Sequence, residues 1–175
     1  MTASDRILDL AIIGSGIAGL AAAHAARDTG LTCMILDKGR RVGGRVSTKR
    51  AGGFTFNHGA QFLTARTPAF VSAAEAAIAQ AALARWHVAG RDALAGQPTM
   101  RDFPDFLQQG LSVRQQTEIA TIRHDSDSIC LVDQDGETVG ARQVIVTAPS
   151  PQAARLLLTA APDLAALAAT ASYAP

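Results

Sequence analysis

Apolar and polar positions fall into three regimes along the chain. The first is an unbroken apolar run, Leu10 to Ile13, followed by Gly14-Ser15-Gly16-Ile17-Ala18-Gly19 and an Ala-rich stretch. A short apolar run closed by glycine predicts a strand buried on both faces, and the Ala-rich stretch predicts a helix. A second run, Leu31 to Leu36, ends on Asp37 and predicts the next strand. The second regime is mixed. Phe54 to Phe56 predicts a short strand after the Ala51-Gly52-Gly53 turn. Thr67-Pro68 predicts an N-cap followed by Pro at the first helical position, and Phe70, Ala74, Ala77 and Ile78 give the apolar face of a helix running to about Arg85. Trp86 to Pro98 predicts a short hairpin, and Asp102 to Gln109 a short helix stopped by Gly110. In the third regime Val113, Ile119, Ile122, Ile129, Leu131 and Val132 stand in short runs, with a turn at Asp133-Gln134-Asp135-Gly136. This predicts an antiparallel meander ending in Val144-Ile145-Val146, a strand apolar enough for a buried parallel sheet. Pro149-Ser150-Pro151 breaks it, a helix follows from about Gln152 to Ala160, and Pro162 to the end is helical again.

The order strand, glycine turn, helix, strand, acid describes a βαβ unit with the chemistry of a dinucleotide site. Gly14 allows the tight turn off the strand, Gly16 lets a pyrophosphate approach the backbone, and Gly19 lets helix and strand pack closely. The N–H groups of Ile17, Ala18 and Gly19 open the helix and present its positive dipole end to phosphates. Asp37, about 20 residues on, is placed to accept from a ribose diol. Without a ligand, the same residues read as a tight strand–helix turn.

Asp37-Lys38-Gly39-Arg40-Arg41-Val42-Gly43-Gly44-Arg45-Val46-Ser47-Thr48 narrows the ligand. An NAD site needs no second glycine pair with flanking arginines directly after the ribose acid, which disfavours an NAD-dependent dehydrogenase. The segment resembles the GGR element of the FAD-dependent amine oxidase superfamily. With Phe56-Asn57-His58-Gly59-Ala60-Gln61-Phe62-Leu63-Thr64-Ala65-Arg66 it is most similar to the renalase-type branch of NAD(P)- and FAD-linked oxidoreductases. The resemblance implies FAD as cofactor, with Gly14, Gly16, Ile17, Ala18, Gly19, Asp37, Lys38, Arg40, Gly44 and Arg45 about it. It also places Ile119 by the adenine, Ala148 at the strand end that closes over the dinucleotide, and His58 and Gln61 beside the flavin ring. That family usually has an acid before the histidine; here Asn57 stands there, which removes a charge. The implied activity is hydride transfer from a reduced nicotinamide-type molecule, or an amine, to flavin N5 and then to O2. Such chemistry needs little acid–base machinery from the protein.

Composition changes the picture only at the edges. With 175 residues, 48% hydrophobic and 18% charged, the chain is long enough for a core of useful size. A net charge of +1 gives no reason to expect nucleic acid or an anionic membrane as partner. Cys33 and Cys130 form no CxxC or metal spacing and read as reduced core thiols of a cytoplasmic protein. Ala23-His24-Ala25 mimics a signal-peptidase site, but Asp5 and Asp9 stand where a cationic n-region belongs, so a signal peptide is rejected. No stretch is long enough to span a bilayer.

The expected fold is α/β: a Rossmann-type FAD-binding domain with a parallel sheet and an interleaved, partial antiparallel substrate-cap region. Residues 1–64 carry the βαβ unit and the GGR segment, 65–112 the partial cap, and 113–175 the meander returning to the sheet. The chain is expected to leave the sheet near Thr64 and rejoin it near Arg114. The family's C-terminal Gly-Asp segment has no counterpart here. The expectation is therefore a truncated chain with exposed apolar surface that favours self-association, and a non-catalytic FAD- or ADP-binding module is the alternative to an oxidase.

Overall fold

A computed structural model describes residues 7–173; Asp5 and the Ala174-Pro175 end of the sequence lie outside the described residues. The chain divides into two compact units, 1–41 with 111–175, and 42–110.

The first unit is built on a six-stranded sheet. Its strands are β1 (Leu8–Ile13) and β2 (Cys33–Leu36), then β7 (Val113–Arg114), β8 (Ile119–His124), β9 (Ile129–Asp133) and β10 (Thr138–Val146); β3 to β6 belong to the second unit. The order across the sheet is β7-β2-β1-β10-β9-β8. Pairing is parallel from β7 through β10 and antiparallel across β10-β9-β8. β10 is longer than its apolar end suggests because it serves two partners. Thr138–Ala141 pairs antiparallel with β9, and Ala141–Val146 pairs parallel with β1. Ala11, Ile13, Leu36, Ile122, Leu131 and Ala141 form a buried cluster, with Leu156 and Leu157 packed against it. Helix α1 (Ile17–Asp28) buries Leu20, Ala23 and Ala26. Leu156 and Leu157 belong to α4 (Ser150–Leu157), which packs with α5 (Pro162–Ala169).

Asp9 has a structural job. Its Oδ2 accepts from the Thr32 N–H at 2.9 Å and the Thr32 hydroxyl at 2.6 Å, which clamps the entry of β2 to β1. Cys33 is half-buried, and that burial pushes its thiol pKa up, away from the thiolate that would make it a nucleophile.

The second unit holds two ribbons and two helices. β3 (Val46–Ala51) pairs with β4 (Phe54–Gly59), and β5 (Leu83–Val88) with β6 (Arg91–Gly96). Helix α2 (Pro68–Ala79) starts as expected, with Thr67 Oγ1 accepting from the Phe70 N–H at 3.4 Å. It ends six residues earlier than the sequence predicts. Ala81 turns left-handed at φ 55°, and Leu83-Ala84-Arg85 is drawn into β5 by its pairing with β6. Two turns with positive φ at both central residues close the ribbons, Gly52-Gly53 (φ 57° and 78°) and Ala89-Gly90 (φ 49° and 72°). Asn or Gly usually signals the first of these positions, so Ala89 concealed the second hairpin's limits. The short helix α3 (Asp102–Leu107) buries Phe103, which Phe70 meets edge-on at 6.0 Å.

Candidate cofactor-binding site

In the first unit, the chain leaves β1 at Gly14 with φ 107°, a conformation that L side chains rarely adopt. A Cβ on Gly14 would lie 2.5 Å from Thr147 Oγ1, and one on Gly19 would lie 1.9 Å from the Gly14 carbonyl oxygen. These two glycines are required by the protein's own packing. Gly16 is different: a Cβ there would meet nothing within 4 Å, and its φ of −68° suits any residue. The backbone at Gly16 is open on the side where α1 begins, and no side chain caps that helix. The N–H groups of its first turn have no partner within the helix.

Thr147 at the end of β10 locks this turn from the other side. Its hydroxyl donates to the carbonyls of Ile13 at 3.0 Å and Gly14 at 3.1 Å, and its N–H donates to Ile13 at 2.9 Å. Ala148 follows it, with its backbone nitrogen 3.6 Å from the position of a Gly14 Cβ.

The Asp37 carboxylate is tied to backbone on both oxygens. Oδ2 accepts from the Ser15 N–H at 2.6 Å and Oδ1 from the Gly39 N–H at 2.6 Å. Each oxygen has further acceptor capacity. The acid therefore bridges the β1–α1 turn to the loop after β2. The same loop receives the segment before β8. Gln116 N–H donates to Gly39 at 3.0 Å and Thr117 N–H to Asp37 at 2.9 Å, and Lys38 pairs with Glu118 at 3.7 Å. Ile119 is the next residue, so the polypeptide at its N-terminal side lies beside the acid. Arg40 is exposed just past Gly39.

Two residues of this site escaped the sequence reading. Ser15 stands among the variable positions of the glycine motif, yet it is 0% exposed and its Oγ has no hydrogen-bond partner. Gly39 looked like loop composition, but a Cβ there would approach Asp37 Oδ1 to 2.8 Å. Its signal was present in the spacing: an aspartate whose side chain accepts from the N–H two residues on. Ser15→Ala removes an unpaired buried hydroxyl. Its expected effect on folding stability is within about 0.5 kcal/mol, while FAD affinity falls roughly fivefold through one lost hydrogen bond. Thermal melts and a fluorescence titration with FAD check both.

The remaining candidates lie in the second unit. Gly43 (φ 120°) and Gly44 (φ 54°) form a tight turn closed by the Val46 N–H to the Gly43 carbonyl at 2.9 Å. Arg45 is exposed, and its carbonyl accepts from the Ala60 N–H at 3.0 Å. Gly59 (φ 92°) is obligatory because a Cβ would sit 2.1 Å from that carbonyl. His58 lies opposite Ser47, with Nε2 3.1 Å from the Ser47 Oγ. Gln61 donates from Nε2 to the Asn57 carbonyl at 2.6 Å. Both side chains are exposed.

Asn57 holds the ribbon in place. Its Oδ1 accepts from the Thr48 hydroxyl at 2.8 Å and from the Met100 N–H at 3.1 Å. Asn57→Ala leaves both donors unpaired in a half-buried setting and is expected to destabilise the fold by about 2 kcal/mol. Asn57→Asp keeps an acceptor oxygen for both donors and should stay within about 1 kcal/mol of the parent. Denaturant melts of the two variants separate them.

The donor set of the first unit fits a dinucleotide cofactor. The open backbone approach at Gly16 and the uncapped helix start offer a phosphate unpaired N–H donors, and Ser15 next to them in the chain carries an orphaned buried hydroxyl.

Comparisons with known proteins agree. Residues 12–74 match the NAD(P)-binding Rossmann-like domain, and residues 68–174, more than half of the chain, match the flavin containing amine oxidoreductases. A possible lysine-specific histone demethylase 1 of Drosophila melanogaster is 42% identical over 53 residues, 30% of this chain and 6% of that protein. Polyamine oxidase 3 of Oryza sativa subsp. japonica is 42% identical over 52 residues, 30% of this chain and 11% of that protein. Among solved structures, a redesigned putrescine oxidase superposes with a TM-score of 0.70 at 14% identity, covering 85% of this chain and 60% of that one. A putative protoporphyrinogen oxidase from Exiguobacterium does so with a TM-score of 0.71 at 18% identity, covering 89% and 62%. The chain thus spans less than two thirds of the proteins it matches. The glycine turn, its acid and the extent of the family match lead to one assignment: this chain belongs to the flavin containing amine oxidoreductase family, whose cofactor is FAD.

Proposed function

We propose that this chain grips the ADP end of FAD and serves an oxidoreductase of renalase or amine-oxidase type, acting on a small reduced nicotinamide-type molecule or an amine. The observation that carries the reading is the α1 start, uncapped and open at Gly16, with the Ser15 hydroxyl buried and unpaired beside it. In this reading the N–H groups of Ile17, Ala18 and Gly19 hold the pyrophosphate. Asp37 accepts from the ribose, and the backbone at Ile119 borders the adenine. Lys38, Arg40 and Arg45 offset phosphate charge, Gly44 and Ala148 give the cofactor close backbone approach, and His58 and Gln61 orient the substrate end. The bound flavin supplies hydride acceptance and reoxidation by O2; the residues named here bind and orient. Residues 1–64, 65–112 and 113–175 are then the FAD-gripping, substrate-cap and sheet-returning segments.

An absorbance spectrum of the purified protein, taken before and after adding FAD and desalting, tests the reading. Flavin bands near one per chain, with peroxide released on adding a reduced nicotinamide isomer or an amine, are the expected result. Retained flavin without peroxide from either substrate class would leave a non-catalytic binding module. A protein that holds no FAD would overturn the reading. The match of residues 12–74 to an NAD(P)-binding domain favours one rival, NAD(P) in the same cradle. Displacement of FAD by NAD at comparable concentration would establish it.

A further inference from the structure

The tip half of the β3–β4 ribbon, beyond Ser47 and His58, carries a surface that the proposed cofactor site does not use. Its register places Ser47 opposite His58, Lys49 opposite Phe56 and Ala51 opposite Phe54, all on one face. The other face includes Val46 and Thr48, which are buried. The outward face therefore presents Phe54, 69% exposed, and Phe56, 52% exposed, their rings 6.2 Å apart and tilted by 49°. Lys49 lies beside them on that face, and Arg50, on the other face, flanks the Gly52-Gly53 tip; both are exposed. From Val42 to Ala74 the chain has Arg45, Lys49, Arg50 and Arg66 and no acidic residue. The chain-wide charge of +1 averages this cationic segment against acids elsewhere.

We infer that the β3–β4 hairpin is a peripheral docking tip for an anionic lipid surface, with Phe54 and Phe56 entering the interface and Lys49 and Arg50 meeting the headgroups. Aromatic rings favour the boundary between water and hydrocarbon, and each nearby cation adds to attraction by an anionic leaflet. Charge complementarity selects an anionic partner. The ring geometry favours lipid over nucleic acid, because the two tilted rings pack against each other and offer no pair of parallel faces for successive bases.

The test is sedimentation of the full chain with vesicles of phosphatidylcholine alone, or with a minor share of phosphatidylserine. Binding is expected only with phosphatidylserine and should weaken as salt is raised. Lys49→Glu with Arg50→Glu should lower binding by at least roughly 25-fold, at about fivefold per cation. Phe54→Ser with Phe56→Ser should abolish it. All four side chains are exposed, and circular dichroism is the check that the variants remain folded. Equal binding to both vesicle types, or Phe variants that bind like the parent, would overturn the inference. So would absence of vesicle binding, whether accompanied by binding of a single-stranded oligonucleotide or by concentration-dependent self-association through the same rings.

Discussion

Gly16→Ala is expected to leave the folded protein as stable as before, or slightly more so, and to cut its affinity for FAD by about 10- to 100-fold. The backbone at Gly16 is extended with φ −68°, and nothing stands within 4 Å of the added methyl. Replacing Gly by Ala at a compatible conformation stabilises by about 0.4–1 kcal/mol through the unfolded chain. The same methyl would fill the space through which a pyrophosphate reaches the α1 N–H groups. Pushing the phosphate away weakens one or two charge-assisted hydrogen bonds, about 1.5–3 kcal/mol in total. Gly19→Ala is the control with opposite behaviour. Its methyl lands 1.9 Å from a backbone oxygen, and helix and strand must separate, at a cost of about 3 kcal/mol. Thermal melts and FAD titrations of the two variants form a crossed pair. Unchanged FAD affinity in Gly16→Ala would mean that no pyrophosphate lies at this turn.

Asp37→Ala is expected to fail on both counts. The carboxylate accepts from two backbone N–H groups at 2.6 Å, one on each side of the site. Its removal leaves Ser15 and Gly39 without their acceptors in a partly buried setting, a loss of about 2–4 kcal/mol. Two ribose hydroxyl bonds to a charged acceptor amount to about 3 kcal/mol more, so FAD affinity should fall on the order of 100-fold. Titration at a temperature where circular dichroism shows the variant folded separates the two effects. If the folded variant binds FAD as the parent does, Asp37 is a loop-bridging residue and nothing else.

How much of this was legible beforehand depended on whether the signal was local. The β1–α1–β2 unit was readable because each step depends on near neighbours: an apolar run, a glycine turn, an Ala-rich helix and an acid. The return to the sheet was readable too from the β-branched run Val144-Ile145-Val146, but its burial was not: Ile145 is 39% exposed, and Val144 and Val146 are half-buried. The second unit was harder. No strand was expected over Val46–Ala51, whose central residues are polar or basic, and it is a strand only because β4 pairs with it across Gly52-Gly53. Leu83–Arg85 looks helical beside its alanines, and becomes a strand because β6 supplies partners that local propensity cannot see.

The sequence by itself determined the family and the βαβ cradle, because glycine spacing and a strand-end acid act over a few residues of backbone. Tertiary structure decided which glycines serve the protein and which leave room for a ligand. Gly14 and Gly19 face atoms from Thr147 and from the turn itself, while Gly16 faces open space. It also decided that Ser15 is buried without a partner and that Asn57 braces a ribbon. Those facts depend on what stands opposite each residue after residues more than a hundred positions apart, such as Gly14 and Thr147, have been brought into contact, and no local pattern encodes that distance.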